Sequence, residues 1–228
     1  MPKGKWTDPL YPYSLPKRKI VVNVTRSCPN FKIPAPGIPD VAAEMRKNGK
    51  MRVLDFGAGK LRNAQYLLNL RAGFTIYGVE YPGCFNTAAG AQRKSDAEKS
   101  KRFFFLEFPD QFLRTSFVVD AVLLVNVPNI VPDPSDRRLI VSECTKRLRR
   151  GGWFVWMSQY GEPHYKPGVT KRLKAPDGGW FYNLHASQQT YNRDFTIPEI
   201  KAFFAAREYR ELRKVSAPHH RAFIFERL

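Results

Sequence analysis

The run Val118, Val119, Asp120, Ala121, Val122, Leu123, Leu124, Val125 carries one charged side chain in eight. A strand apolar toward both faces belongs in the middle of a parallel sheet with helices on either side, because a sheet wetted on one face would alternate. Its flanks agree. Upstream, residues 51–56 read as a strand, Gly57, Ala58 and Gly59 turn the chain, and residues 61–72 place Leu61, Ala64, Leu67, Leu68 and Ala72 on one helical face. A helix over residues 38–47, with Val41, Ala42 and Met45 inward, precedes that unit and stops at Asn48 and Gly49. Strands over 75–79 and 103–108 bracket a polar helix over 87–99. Downstream, Asp133, Pro134, Ser135 and Asp136 form a capping cluster for a helix over about 137–149 with Leu139, Ile140, Cys144 and Leu148 inward. Gly151 and Gly152 end it, and residues 153–158 are a fifth strand. A helix from Thr196 to about Arg207 and two strands over 208–216 and 221–227, joined through Ala217, Pro218, His219 and His220, close the chain, with both histidines expected exposed. This alternation predicts an α/β fold with a doubly wound, mostly parallel sheet, and a ligand at the carboxyl ends of its strands.

Two segments stand apart. Eight of the 18 prolines fall within residues 2–39, which argues against continuous helix or central strand, so residues 1–37 read as an extended basic arm before a domain over 38–228. Lys17, Arg18 and Lys19 lie in that arm beside Trp6, Tyr11 and Tyr13, a mixture able to track a phosphate backbone and stack on bases, although the same rings read slightly better as a staple holding the arm to the domain. Residues 159–194, with Gly161, Gly168, Gly178 and Gly179 and little periodicity, read as a long insertion on the acceptor side. Net charge is +18, with excess cations concentrated at the two ends, so an acidic partner is expected and RNA or DNA is the natural one. No apolar run approaches the ~18–20 residues of a membrane span. No apolar stretch follows the first lysines, and Cys28, Cys84 and Cys144 form neither a disulfide framework nor a zinc spacing. A cytoplasmic, reducing setting without a metal is the expectation.

The turn after the first strand discriminates among ligands. A phosphate loop needs Gly at 54 and Ser or Thr at 61, where the chain has Leu54 and Leu61. The dinucleotide fingerprint needs Gly at 62, which is Arg62. What remains is Asp55 closing one strand, two glycines over which a ligand can lie against backbone, and Glu80 closing the next strand. That set suits a ligand with an amine and a ribose diol.

Here the chain resembles the class I S-adenosylmethionine-dependent methyltransferases, whose Rossmann-like seven-stranded sheet ends in a C-terminal antiparallel hairpin. The resemblance rests on Asp55, Phe56, Gly57, Ala58 and Gly59 as the first motif, and on Gly78, Val79, Glu80 and Tyr81 as the ribose-binding acid and its hydrophobic neighbour. The segment from Asp120 to Val131 resembles the fourth-strand motif, and that from Leu148 to Trp153 the turn into strand five. It implies S-adenosylmethionine as cofactor, with Asp55, Gly57 and Gly59 bordering its methionine part, Glu80 accepting both ribose hydroxyls and Tyr81 packing on adenine. Glu107 or Phe108 would lie near the adenine edge, and Asn126 and Val127 would face the cofactor. Leu61 replaces the third glycine often found in the first motif, with Lys60 and Arg62 beside it.

The acceptor is less legible. Asn126, Val127, Pro128 and Asn129 are not the base-clamping signature of nucleic-acid amino methyltransferases, and the Pro-Cys nucleophile of cytosine methylation is absent. Glu162 and His164 are candidate bases, and Tyr160 or Tyr165 candidate stacking partners, with Trp180, Tyr182 and His185 further on. Lys166, Lys171, Arg172 and Lys174 are candidate holders of an acidic group. The basic ends favour a nucleic-acid acceptor. A small-molecule methyltransferase and a non-catalytic nucleic-acid-binding protein on the same scaffold are the alternatives.

Overall fold

The computed structural model describes residues 8–15, 18–27, 33–159, 172–184, 187–217 and 220–228. After an N-terminal hairpin, β1 (Leu10–Leu15) and β2 (Arg18–Asn23), the chain runs α1 (Ile38–Lys47), β3 (Arg52–Phe56), α2 (Arg62–Asn69), β4 (Thr75–Glu80), α3 (Ala88–Glu98), β5 (Phe103–Glu107), α4 (Asp110–Arg114) and β6 (Val119–Val125). It continues through α5 (Val127–Ile130), α6 (Pro134–Arg147), β7 (Leu148–Gln159), β8 (Leu173–Lys174), β9 (Trp180–Tyr182), β10 (Thr190–Asn192), α7 (Ile197–Lys201), β11 (Tyr209–Ala217) and β12 (His220–Arg227).

Seven strands form one sheet in the order β11-β12-β7-β6-β3-β4-β5. Neighbours among β3 to β7 pair parallel, whereas β12 is antiparallel to both β7 and β11. The chain steps outward from β3 to β5, then returns to β6 on the other side of β3, so strand order reverses between β3 and β6. The crevice at such a reversal is where open α/β sheets hold ligands. The two-sided apolar run explains itself here. Ala121 and Leu123 join the layer built with α1 and α2, through Val41, Met45, Ala64 and Leu67, while Val122 and Leu124 join the opposite layer with Ile140, Val141 and Cys144 of α6. Its single charge, Asp120, accepts from Met51 N–H (3.0 Å) and Arg52 N–H (2.9 Å) and pairs with Arg149 (2.8 Å).

Several elements depart from the sequence reading. Residues 8–15 and 18–27 are not an extended arm. Ile20, Val22 and Val24 alternate at strand spacing and are buried together with Tyr11 against Phe181 and Tyr191. Prolines tolerate this because the hairpin is only two strands wide. The insertion likewise contains structure, a three-stranded antiparallel sheet ordered β10-β9-β8. The two pieces are joined: Asn23 N–H donates to Gln189 O (3.0 Å), Gln189 N–H to Val21 O (2.8 Å) and Val21 N–H to Gln189 Oε1 (3.0 Å). On α6, Leu139 points outward, 41% exposed, and the inward face is Asp136, Arg137, Ile140, Val141 and Cys144. Leu148 belongs to β7. Helix α7 ends at Lys201, and beyond it Phe203 packs on Trp156 and Phe204 on Phe225. His220 is buried, paired in register with Gln159, and not an exposed turn residue.

Arginines hold many of these joints together. Arg102 donates to Leu68 O and Phe74 O, Arg147 to Glu143 O and Phe112 O, and Arg227 to Thr145 O and Leu148 O. Part of the cationic excess therefore satisfies buried carbonyls and is not free for a polyanion. Arg210, Arg213 and Lys214 line the exposed edge strand β11, where charge discourages pairing with another sheet.

Candidate functional site

Strand β3 ends in a turn whose backbone is left-handed at Gly57 (φ 66°), Gly59 (φ 55°) and Leu61 (φ 60°). Gly57 N–H and Ala58 N–H both donate to Val79 O, at 2.9 and 3.0 Å, which ties the turn to the end of β4. The glycine at 57 is not an open cradle. A Cβ there would lie 2.3 Å from Val127 Cγ2, so Val127, the first residue of α5, lies directly on the turn and requires a glycine beneath it. Val127 thus reaches the motif by packing rather than by facing open space.

Leu61, the departure from the three-glycine pattern, caps α2 and is fully buried. A side chain on Gly78 would begin 2.9 Å from the Phe103 ring and 3.4 Å from Leu61 Cδ2, so Phe103 takes the room Gly78 leaves and the leucine packs beside it. A left-handed non-glycine costs about 1–2 kcal/mol, and removing a buried leucine side chain costs about 2–5 kcal/mol. Restoring the family residue with Leu61→Gly is therefore expected to destabilise the protein by about 1–3 kcal/mol. Urea denaturation checks this, and a gain in stability would show that backbone strain outweighs the packing.

Asp55 is buried, and neither carboxylate oxygen has a hydrogen-bond partner. Burial pushes its carboxyl up to about 7, and the nearby Glu80 charge adds to the effect; the Arg62 guanidinium, the Asn63 amide and the Ala64 N–H offset it only in part. Such an orphaned carboxylate is costly unless a cation or donor arrives. Arg62 is half-buried beside it, and burial lowers its own basicity more than Asp55 restores it.

Glu80 is buried at the end of β4, where its Oε2 accepts from Gly59 N–H (2.7 Å) and its Oε1 from Tyr81 N–H (2.8 Å). Burial raises its pKa against the pull of these two bonds and of the Cys84 thiol. A carboxylate has about four lone-pair sites, so acceptor capacity remains for a ribose hydroxyl, and for its neighbour where the Cys84 thiol turns away. Tyr81 packs edge-on to Phe108 with centroids 5.0 Å apart. Of Glu107 and Phe108, the latter is the one that lies beside Tyr81. Phe108 N–H donates to Glu80 O (2.9 Å), and Phe108, Pro109 and Asp110 join Tyr81 in lining a cavity of about 590 Å³. Glu107 is not among its lining residues; it lies opposite Glu80 in the sheet, and its N–H bonds Gln111 Oε1. Asn126 is left-handed (φ 57°) at the start of α5, and its N–H donates to Met157 O (2.8 Å).

The acceptor-side candidates Tyr160, Glu162, His164, Tyr165, Lys166 and Lys171 lie outside the described residues, as does His185. Tyr182 is buried, and Trp180 carries the Arg172 guanidinium 3.8 Å from its ring centroid. The sequence reading missed the hairpin's share of the cavity, from Pro9, Leu10, Asn23 and Thr25, with Gln188 beside them. The alternation of Ile20, Val22 and Val24 was the available signal. Tyr11, one of the rings read in the arm, is buried, close to Tyr81 and hydrogen-bonded to Asp136, and its hydroxyl is held far above its usual pKa by burial first and these neighbours second.

No protein-family model and no curated protein matches the sequence. Solved structures do match. The chain is similar to the S-adenosylmethionine-bound amino pentose methyltransferase CalS10 of Micromonospora echinaspora, at 18% identity and a TM-score of 0.59 over 84% of this chain and 90% of that one. It is similar to an O-methyltransferase family protein of Burkholderia thailandensis at 14% identity and a TM-score of 0.60, covering 83% of this chain but 55% of that one, so it spans about half of that protein's length. A Pyrococcus horikoshii protein gives a TM-score of 0.65 at 13% identity over 84% of this chain and 88% of its own. The fold is the Rossmann-like α/β fold of class I S-adenosylmethionine-dependent methyltransferases.

Proposed function

We propose that the protein is an S-adenosylmethionine-dependent methyltransferase acting on a small-molecule acceptor. The observation that carries the cofactor assignment is the pair of buried carboxylates closing adjacent strands, one of them, Asp55, without a close hydrogen-bond partner. Asp55, whose weak contacts to Asn63 and Ala64 leave it under-satisfied, would hold the cationic methionine end, Glu80 the ribose hydroxyls, and Tyr81 with Phe108 the adenine. The cofactor, when bound, supplies an electrophilic methyl group for direct displacement. The chain's own contribution is then to orient the acceptor and exclude water. Tyr11 and Phe181 are buried in one apolar cluster with Val127 and Val131, the residues that follow β6, and apolar surface there suits a small acceptor better than a polyanion. The similar structures point the same way, since CalS10 acts on an amino pentose.

Nucleic acid is the second reading, favoured by the net charge of +18. The two separate by salt. A nucleic-acid substrate predicts RNA or DNA binding that weakens steeply between low and physiological salt, whereas the small-molecule reading predicts none. For the cofactor, the wild type is expected to bind S-adenosylhomocysteine at micromolar concentration in calorimetry. Glu80→Ala, which removes two charge-assisted hydrogen bonds, is expected to weaken that binding by about 100-fold. Glu80→Gln would fall between. Equal affinity in all three would sink the assignment.

A further inference from the structure

The cavity beside Tyr81 and Phe108 has a second wall that the methyltransferase sheet does not supply. Pro9, Leu10, Asn23 and Thr25 come from the N-terminal hairpin and the turn that follows it. Asn23 is half-buried there, with its side chain fixed. Its Oδ1 accepts from both Thr25 N–H (3.0 Å) and Thr25 Oγ1 (2.7 Å), and its Nδ2 donates to Gln188 Oε1 (2.8 Å). Flipping the amide would set its NH2 against the Thr25 N–H, donor against donor, so the orientation is determined by the network. An amide nitrogen carries two N–H groups, and only one is used on Gln188. The hairpin in turn cannot drift, because β2 is bonded to Gln189 and Tyr11 to Asp136.

We propose that Asn23 is a purine-recognising residue: its remaining N–H donates to a ring nitrogen of the adenine, and the hairpin forms the outer wall of the cofactor pocket. This rests on the cofactor reading above and adds a residue from outside the methyltransferase sheet. Two chemical facts favour it. Adenine offers unprotonated ring nitrogens along its edges, which a fixed amide donor matches and a carboxylate would not. Among the other lining residues, Tyr81, Phe108 and Pro109 present rings that can hold the faces or rim of the base, while Asn86 adds a second amide to the same cavity, so the Asn23 variant is what tells the two amides apart.

The test uses the full-length protein, S-adenosylhomocysteine as probe, and two readouts. Calorimetry compares wild type, Asn23→Asp and Gln188→Ala. Asn23→Asp keeps an oxygen for Thr25 and removes the donor, and is expected to weaken binding about three- to tenfold, the value of one neutral hydrogen bond. Gln188→Ala, which loosens the amide without removing it, is expected to weaken binding less. Hydrogen exchange on the wild type, which needs no variant to fold, should show amides of β1 and β2 slowed by the ligand. Unchanged affinity in Asn23→Asp together with unchanged exchange in the hairpin would overturn the proposal while leaving the cofactor site standing. Absence of binding by the wild type would overturn both, and a Glu80→Ala titration in the same series identifies which reading has failed.

Discussion

Asp55→Asn is expected to raise the stability of the ligand-free protein at pH 8 and to weaken its affinity for S-adenosylhomocysteine about 100-fold. The sign follows from the displaced carboxyl. Folded, Asp55 holds its proton up to about pH 7, whereas unfolded it releases it near 3.8. Its favourable contribution is therefore complete below pH 3.8 and is lost as pH rises through 7, so at pH 8 the wild type carries the full cost of a buried, unpartnered anion. A tenfold change in acidity corresponds to about 1.4 kcal/mol, which caps the cost at about 4 kcal/mol. Asparagine has nothing to ionise, so thermal melts of the variant should lie several degrees above the wild type at pH 8 and converge with it near pH 4. Ligand affinity should behave in the opposite way. Wild-type affinity is expected to rise about tenfold per pH unit up to 7 and then level, as Asp55 gives up its proton to meet a cation. The asparagine variant should bind about 100-fold more weakly with that pH dependence gone. Melts that coincide at pH 8 would mean that Asp55 has a partner in solution. A gain of stability with loss of binding is the pattern expected of a residue retained for function at a cost to the fold.

The sheet and the cofactor end of the site were legible because each depended on local pattern. Asp55 and Glu80 declared themselves by closing strands whose apolar periodicity was plain, and the run around Val122 and Leu123 placed the sheet's centre. Leu139 was misassigned because hydrophobicity was read where satisfaction of carbonyls decides: Arg137 takes the inward position to reach Val131 O and Pro132 O. The hairpin was missed because its proline content outweighed three alternating aliphatic residues, and because its burial depends on Phe181 and Tyr191, more than 150 positions away. The choice between Glu107 and Phe108 could not be made from sequence. It is fixed by one bond, Phe108 N–H to Glu80 O, which turns the chain at the sheet edge.

The cluster around Tyr11, Phe181 and Tyr191 hangs on Arg137, and Arg137→Met is expected to destabilise the protein by about 3–5 kcal/mol. The guanidinium is 1% exposed and donates to Val131 O (2.7 Å), Pro132 O (3.1 Å), Tyr191 Oη (2.8 Å) and Asp177 Oδ2 (2.6 Å). Tyr191 also donates to Asp177 (2.7 Å), and Arg193 stands 3.4 Å from the same carboxylate oxygen. Burial alone would push the Asp177 carboxyl up, but the Tyr191 and Arg137 bonds outweigh it and hold it below its ordinary value. That contribution is present above the unfolded pKa and is lost as pH falls through the folded one. Methionine preserves most of the volume yet strands Asp177 with Arg193 as its remaining cation, so the penalty should be largest at neutral pH and shrink in acid, where Asp177 protonates. Adding Asp177→Asn to Arg137→Met should recover about 1–3 kcal/mol in urea denaturation, the coupling expected of residues in one buried network. Strict additivity would show that Arg137 acts through its carbonyl bonds alone. The network links α6, which begins beyond the carboxyl end of β6, to β10 and through Gln189 to the hairpin. Loss of S-adenosylhomocysteine affinity in Arg137→Met beyond its unfolded fraction would therefore show that the cluster helps hold the cofactor as well as packing the core.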